Sequence, residues 1–316
     1  MVIVGFFYVK ASNFTPFIPP SQPASTVEGS SAVTGVMTQP LWQFATGMTP
    51  SVYGVPGILS GAALVFFAFI GFDVVATASE ETKNPHKNVP LGIGVGMLLI
   101  IVMYMLVAVV TTGMVSYADL AKQDSPSLAT AFELVGADWA AKIISFGIVL
   151  GLATVVMVLL LGLTRIVFAM SRDGLLPRGL SKTGKHGTPA ALQIVVGAVV
   201  ALVAAFFDIG VLSDMVNIGT LSAFTLVAIS IPIMRKKRPD LPRAFKMPGD
   251  PWIPILIAVA NFWLMLNLSV LTWIRFVVWL VVGVAIYFGY GYWHARLGKG
   301  DLTETLSAET DKAVNG

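Results

Sequence analysis

The chain has 316 residues, of which 56% are hydrophobic and only 12% are charged, and its mean hydropathy is +0.81. Soluble domains carry charge on about a quarter of their residues, so these figures exclude an ordinary soluble domain and indicate an integral membrane protein. The chain has no cysteine, and its three histidines are far apart in the sequence. We therefore predict no disulfide, no metal site and no cofactor. The net charge is +3. In a membrane protein the positions of the lysines and arginines indicate which loops face the cytoplasm, and nucleic acid is not an expected partner.

Seven windows are apolar enough to cross a bilayer, whose core of about 30 Å requires about 20 apolar residues of helix. They are residues 57–79, 89–115, 143–164, 188–207, 215–234, 251–274 and 276–293. The last two windows adjoin at Trp273, Ile274 and Arg275, so we predict a tight helical hairpin that turns there. Strands of a membrane barrel would alternate apolar and polar residues, which the continuous run 98–110 does not. We predict an all-α fold, a polytopic membrane helical bundle with seven transmembrane helices.

The basic residues are distributed between alternate loops. Sixteen of the 20 follow the first, third or fifth window or lie in the C-terminal tail: Lys83, Lys87, Arg165, Arg172, Arg178, Lys182, Lys185, Arg235, Lys236, Lys237, Arg238, Arg243, Lys246, Arg296, Lys299 and Lys312. The other four are Lys10, Lys122, Lys142 and Arg275. Packing of arginines at helix ends would not sort them in this way, whereas cytoplasmic loops are enriched in lysine and arginine. We predict a multi-pass protein of the plasma (inner) membrane with a cytoplasmic C-terminus.

The two ends of the chain define the expected domain organisation. Residues 1–9 are apolar but too short to span and are followed by Lys10, which suits the end of a truncated helix. The remainder of 1–56 is rich in Ser, Thr, Pro and Gly and is expected to be an extracellular loop with little regular structure. Residues 57–297 would form the seven-span segment. The polar residues 298–316 are predicted to be a disordered cytoplasmic tail.

The first window contains a carboxylate, Asp73, two residues after Gly71. A charged side chain within a span costs at least about 2.5–3.5 kcal/mol, so Asp73 is expected to face protein or water. Gly71 weakens the helix, and discontinuous helices let transporters present backbone carbonyls to a substrate. The alternative is that Gly71 only permits close packing and that Asp73 accepts a hydrogen bond near the cytoplasmic end. The spacing alone leaves both alternatives open.

Six passages, in order along residues 1–297, resemble the amino acid–polyamine–organocation superfamily, specifically its cationic amino acid transporter branch. They are GFFYVKASNFTPF, FFAFIGFD, SEETKNPHKNVP, TRIVFAMSRDGLLP, IGTLSAFTLV and FKMPGDPWIP. Members normally have twelve spans, the first ten of which form two inverted five-helix repeats in the LeuT-like arrangement. The resemblance implies that the seven windows are spans six to twelve and that the N-terminal spans are missing.

The resemblance also implies a substrate site between the broken helices of spans one and six. The carbonyls of Phe67, Ala68 and Ile70 would accept hydrogen bonds from the substrate ammonium, while the missing first span would bind its carboxylate. Phe67 and Phe69 would close over the ligand as an external gate. For a phenylalanine in a span, packing or lipid contact is the alternative.

Two further groups complete the expected site. Ala153, Thr154 and Met157 lie on one helix face near the middle of the third window. This face is expected to form the second wall of the pocket. Without the family resemblance, Met157 would be ordinary core. A cytoplasmic gate would be held by Glu80, Glu81, Arg172 and Asp173. The alternative is that these four residues are only solvated charges of loops.

These features together predict the C-terminal part of a secondary active amino acid permease. It would move a small or cationic amino acid by alternating access, with protons as the coupling ion, and its partners would be the substrate, the lipid bilayer and the missing N-terminal spans. The chain has no HExxH, GxSxG or phosphate-loop motif, so no enzyme and no catalytic residue is predicted. The alternatives are a non-transporting fragment that needs a separate N-terminal half, or a seven-span receptor.

The charge distribution predicts which positions an impermeant reagent can reach. Single cysteines introduced as Lys236→Cys and Lys122→Cys have no background, because the chain has no cysteine of its own. An impermeant thiol reagent added to intact cells should label position 122 and spare position 236. Labelling at 236 with protection at 122 would contradict the predicted orientation.

Overall fold

The computed structural model of the chain describes residues 1–26, 35–72, 82–123, 126–181, 189–239, 249 and 251–295. The helices are α1 (Val2–Phe6), α2 (Leu41–Thr46), α3 (Gly54–Val65), α4 (Pro85–Met114), α5 (Tyr117–Ala121), α6 (Leu128–Leu134), α7 (Asp138–Arg172), α8 (Ala190–Phe206), α9 (Ile209–Lys237), α10 (Trp252–Leu266), α11 (Val270–Ile286) and α12 (Tyr292–His294). Between α11 and α12 the residues Tyr287–Gly291 form a π-helical turn. Within these ranges the strands are β1 (Gln22–Pro23) and β2 (Ser51–Val52), which pair antiparallel. The all-α prediction is confirmed.

Four described helices are long and apolar enough to cross a membrane: Lys87–Met114, Asp138–Arg172, Ile209–Lys237 and Val270–His294. Three more apolar segments are shorter, namely Gly54–Phe69, Ala190–Phe206 and Trp252–Leu266. Each predicted window thus overlaps an apolar helix. The number of seven spans remains a prediction, because the three shorter helices do not reach a spanning length by themselves.

The helices form two compact units, the first made of Met1–Val155 with Gly210–Ile274 and the second of Val156–Ile209 with Arg275–Gly316. In the first unit, buried side chains of α4, α6 and the start of α7 form a core around Phe132, which is fully buried. Residues of α1 pack against this core. The N-terminal stretch is therefore packed against the C-terminal end of α4.

The predicted turn of the last hairpin is wrong. Residues 273–275 lie inside α11, and the turn is formed by Asn267, Leu268 and Ser269. Ser269 Oγ accepts the backbone N–H of Thr272 at 3.2 Å, as an N-cap side chain does, and Asn267 Nδ2 donates to the Trp263 carbonyl at 2.8 Å. The prediction placed the turn at the charged residue Arg275, whereas the start of α11 is determined by its N-cap residue, Ser269.

The segment between α1 and α3 is more regular than predicted. Residues just before α2 pair with the hairpin turn: Val270 N donates to the Gln39 carbonyl and Leu271 N to the Met37 carbonyl, at 3.1 and 2.8 Å. Trp42 of α2 stacks on Trp263 of α10, with ring centroids 6.4 Å apart. These contacts hold the segment onto the α10–α11 turn.

Several basic residues expected in loops lie within helices. Arg165 and Arg172 belong to α7, and the last turn of α9 contains Arg235, Lys236 and Lys237. Positive side chains at a helix C-terminus interact favourably with its dipole, which explains why these helices extend through them. The helix ends at Arg172, eight residues beyond the predicted window, and Gly174 follows with φ +84°.

In the second unit, the turn after α7 packs against the end of the chain's last described helix. Ser171 is fully buried and its Oγ donates to the Pro177 carbonyl at 2.7 Å. A Cβ atom added to Gly174 would overlap the His294 carbonyl. Only glycine therefore fits at this turn, because the backbone φ is positive and because there is no space for a Cβ atom.

Replacing Gly174 by Ala should destabilise the chain more than replacing Gly136, a glycine with a similar φ of +77° but open space around it. The backbone conformation alone costs an alanine about 1–2 kcal/mol, and the overlap at Gly174 adds to that cost. Denaturant unfolding of the purified chain in micelles measures the difference. Equal losses for Gly174→Ala and Gly136→Ala would show that the contact with His294 is absent.

Candidate functional site

The first predicted span does not continue as a helix to Asp73. α3 ends at Val65, a 3-10 turn follows at Phe66–Phe69, and Ile70 is extended with φ −67° and ψ 138°. Gly71 then has φ +119°, which residues with a Cβ atom rarely adopt. The helical conformation of this apolar segment therefore ends at Ile70 and Gly71, and we call Phe66–Phe72 the interrupted segment.

Three of the predicted site residues, Asp73, Glu80 and Glu81, lie outside the described residues. Phe67, Ala68, Phe69, Ile70 and Gly71 all belong to the interrupted segment. The structure thus describes the expected acceptor part of the site and not the adjacent carboxylates.

Two of the three carbonyls expected to face a substrate accept hydrogen bonds within the chain. The Phe67 carbonyl accepts from Ile70 N at 3.2 Å, and the Ala68 carbonyl accepts from Tyr104 Oη at 2.7 Å. A carbonyl oxygen has two lone pairs, so each retains the capacity to accept one more donor. An ammonium group, which brings three donors, suits such a set of acceptors.

Tyr104 of α4 contacts the interrupted segment in two ways. Besides its hydrogen bond to Ala68, its ring meets the edge of the Phe69 ring with centroids 5.0 Å apart. Tyr104 is not among the site residues predicted from the sequence. A signal was present, because Tyr104 has the only hydrogen-bonding side chain in the apolar run 98–110, and such a group in a membrane seeks a partner.

α9 supports the same segment from another side. Phe224 contacts Phe66 before the interruption and Phe72 after it, with ring centroids 6.2 and 5.4 Å apart. Seven residues earlier, on the same helix face, the fully buried Asn217 donates from Nδ2 to the Leu64 carbonyl at 3.4 Å. Both were missed, although Phe224 lies in the passage IGTLSAFTLV.

The two phenylalanines expected to form an external gate differ in their surroundings. Phe69 packs on Tyr104, as described above, while Phe67 is 44% exposed. Phe67 is thus the more accessible of the two rings.

The residues expected in the second wall all lie on α7 and are exposed. Thr154 Oγ1 donates to the Gly151 carbonyl of its own helix at 2.7 Å, Ala153 is its neighbour, and Met157 is 63% exposed. None of the most apolar stretch of α7 is buried. Met157 is therefore not a core residue of the described structure.

The described members of the expected cytoplasmic gate form a local pair. Arg172 Nε lies 3.5 Å from Asp173 Oδ1, and both side chains are about half exposed, at 55% and 53%. An exposed pair of adjacent residues contributes little to stability. Among the described residues no group of three or more His, Asp or Glu side chains is placed to hold a metal ion.

A family model described as "Amino acid permease" matches residues 1–291. The chain belongs to the amino acid permease family. This places it in the superfamily that the sequence passages resemble. The family's members are transporters and not enzymes, and with four apolar helices of spanning length among its described residues the chain is a multi-pass membrane protein.

Curated relatives agree with this family. The chain is 47% identical over 299 residues to the branched-chain amino acid permease BcaP and 39% identical over 299 residues to the methylthioribose transporter, both of Bacillus subtilis (strain 168). Each match covers 94% of this chain and 57% of the relative. Identity to cationic amino acid transporter 3, mitochondrial, of Arabidopsis thaliana is 45% over 195 residues, 61% of this chain and 31% of the relative. The chain thus spans little more than half the length of its bacterial relatives.

Removing the hydroxyl of Tyr104 should weaken the interrupted segment of the permease. Tyr104→Phe keeps the ring against Phe69 and removes the donor to Ala68, so stability should fall by about 1 kcal/mol. The measurement is the unfolding midpoint of the purified chain in micelles. Tyr287→Phe is the matched control, because among the described residues the Tyr287 hydroxyl has no hydrogen bond and its ring lies against Phe288. Equal effects of the two substitutions would contradict the hydrogen bond to Ala68.

Proposed function

We propose that this chain is the C-terminal part of a secondary active amino acid permease that works by alternating access. The observation that carries the proposal is the interruption at Ile70 and Gly71, in a chain that belongs to the amino acid permease family. A helix that stops inside an apolar segment presents backbone carbonyls, and such carbonyls are acceptors for the ammonium group of an amino acid.

In this proposal the substrate lies against the interrupted segment. The carbonyls of Phe67, Ala68 and Ile70 accept its ammonium, and Asp73 adds negative charge close by. Phe67 and Phe69 close the site from outside. The second wall is formed by Ala153, Thr154 and Met157, and the cytoplasmic gate is held by Glu80, Glu81, Arg172 and Asp173.

The substrate carboxylate needs donors that the interrupted segment does not offer, because carbonyls only accept hydrogen bonds. We assign those donors to spans that precede this segment in a complete permease, with the seven windows as spans six to twelve. The relatives, of which this chain covers 57%, support that assignment. The chain alone is then the non-transporting part of a complete transporter.

The proposed substrate is a small or cationic amino acid. Relatives are named for branched-chain amino acids, for methylthioribose and for cationic amino acids, so membership of the family does not by itself determine the substrate. Met157 is expected to limit the length of the side chain. The proposed coupling ion is the proton, which rests on the resemblance to the cationic amino acid transporter branch.

The proposed location is the plasma (inner) membrane, with the C-terminus and residues 298–316 in the cytoplasm. Sixteen of the 20 basic residues support this orientation. The domain boundaries at 56 and 297 remain predictions. Family membership favours this function over a seven-span receptor.

The test is uptake into proteoliposomes. The chain alone should not accumulate radiolabelled arginine, alanine or valine under a proton gradient, because an ammonium held by one interrupted helix leaves the carboxylate without partners. Addition of the part of BcaP of Bacillus subtilis that this chain does not match should restore uptake, and an uncoupler should abolish it. Robust gradient-driven uptake by residues 1–316 alone would contradict the proposal.

A further inference from the structure

A group of aromatic rings lies at the end of α11 and on α12, in the second unit. Five of the seven residues 287–293 are aromatic, and residues 276–293 include no charged side chain. Tyr287, Phe288, Tyr292 and Trp293 are each between 46% and 68% exposed. Tyr287 meets Phe288, Phe288 meets Tyr292 and Tyr292 meets Trp293, with ring centroids 5.2, 6.2 and 5.5 Å apart. These four rings form one continuous exposed surface, which we call the aromatic row.

The π-helical turn Tyr287–Gly291 brings these rings together. A π-helical turn closes i→i+5 hydrogen bonds and is therefore wider than an α-helical turn, so residues four and five apart lie on one side of it. Phe288 and Tyr292 are four apart, and Phe288 and Trp293 are five apart. The turn thus collects large rings on one side of the helix end.

The turn after α7 packs against the same helix end through small residues. Gly291 is buried, and a Cβ atom there would lie 3.4 Å from the Leu175 carbonyl oxygen. Gly174 approaches the His294 carbonyl still more closely. The glycines therefore make the contact within the unit, and the large rings of the aromatic row remain exposed.

An exposed cation lies at this end of the unit. Ser171 Oγ donates to the Pro177 carbonyl, and Arg178 is the next residue along the chain. Arg178 is exposed, and within the described ranges its guanidinium has no hydrogen-bond or ion-pair partner. The charge of the nearby Arg172 is offset by its pair with Asp173. Arg178 is therefore a cation that an anionic ligand can reach.

This combination of rings and charge fits a lipid better than another helix. Tyrosine and tryptophan at the end of an apolar helix are typical of the level of lipid headgroups. Contacts between membrane helices are instead enriched in small residues, which the aromatic row does not present. Arginine binds phosphate oxygens through two parallel N–H groups. A zwitterionic headgroup brings its own ammonium to the phosphate, whereas an anionic headgroup keeps its full negative charge for the arginine.

We propose that the aromatic row and Arg178 form a binding surface for an anionic phospholipid. Arg178 binds the phosphate of the headgroup, the rings lie at the level of the glycerol, and the acyl chains follow the apolar side of α11, where Trp279 is exposed. In the predicted orientation this lipid belongs to the cytoplasmic leaflet. Binding requires only residues of this chain and does not depend on the proposed function.

The test compares dioleoylphosphatidylglycerol with dioleoylphosphatidylcholine, which have the same acyl chains and differ in headgroup charge. Each lipid is titrated into the purified chain in micelles, and the affinity of the first bound lipid is measured by native mass spectrometry. The anionic lipid should bind about fivefold more tightly, the effect of one basic side chain near a membrane surface. This ratio should decrease as the salt concentration rises.

Three variants separate the charge from the rings. Arg178→Gln should reduce the ratio to about one, and Arg178→Lys, which keeps the charge, should retain most of it. Lys237→Gln is the matched control and should leave the ratio unchanged, because it removes one exposed charge at the end of α9, in the first unit. Trp293→Ala should lower the affinities of both lipids by a similar factor, since ring contacts do not depend on headgroup charge.

A ratio of about one in the parent, or an unchanged ratio in Arg178→Gln, overturns the proposal. An equal loss in Lys237→Gln also overturns it, because the attraction would then belong to the whole basic surface. Displacement of the lipid by free glycerol phosphate would show a soluble phosphate ligand and would likewise overturn it. If Arg178→Gln loses its helical circular dichroism, Trp293→Ala decides, and unchanged affinities in that variant overturn the proposal.

This outcome is independent of transport. A chain that distinguishes the two lipids but is not completed to a working transporter by the BcaP part refutes the proposed function and leaves the lipid surface intact. A chain that is completed for uptake but does not distinguish the lipids refutes only the lipid surface.

Discussion

Every backbone carbonyl released by an interrupted helix inside an apolar layer needs a donor, because no bulk water is available there. In this chain the interruption occurs at Ile70 and Gly71, and two of the donors around it are side chains of other helices. Tyr104 Oη serves the Ala68 carbonyl and Asn217 Nδ2 serves the Leu64 carbonyl. An unmet carbonyl would cost several kcal/mol, so the positions of α4 and α9 are tied to the interruption.

Aromatic contacts restrict the position of the interrupted segment in addition to these hydrogen bonds. Phe224 touches rings on both sides of the interruption, and Tyr104 touches Phe69. Edge-to-face ring pairs contribute about 0.5–1.5 kcal/mol beyond their burial, and they restrict the direction in which the segment can move. A segment held in this way can keep its carbonyls directed to one side, as a binding site for an ammonium group requires.

The sequence predicted much of the fold because helix length and apolar composition are local properties. The all-α class and the weak point at Gly71 follow from residues close together in the chain. The hairpin turn was predicted wrongly because a charge, Arg275, was given more weight than the capping residue Ser269. The partners of the interrupted segment were missed for a different reason. Tyr104 lies 36 residues from Ala68, and Asn217 lies 153 residues from Leu64, so no local pattern connects them.

The proposed binding site depends on the departure of the backbone from the helical conformation at Ile70 and Gly71. Solid-state NMR of the chain in lipid bilayers, with ¹³C placed in isoleucine and ¹⁵N in glycine, detects Ile-Gly pairs selectively. The shift of each isoleucine carbonyl then reports its local backbone conformation. The other three Ile-Gly pairs of the chain, at 93–94, 209–210 and 218–219, lie in α4 and α9 and provide a helical reference within the same sample. The carbonyl shift of Ile70 should be of the extended type, beside a helical shift for Ile218. Helical shifts at both positions would show that the helix continues through Ile70.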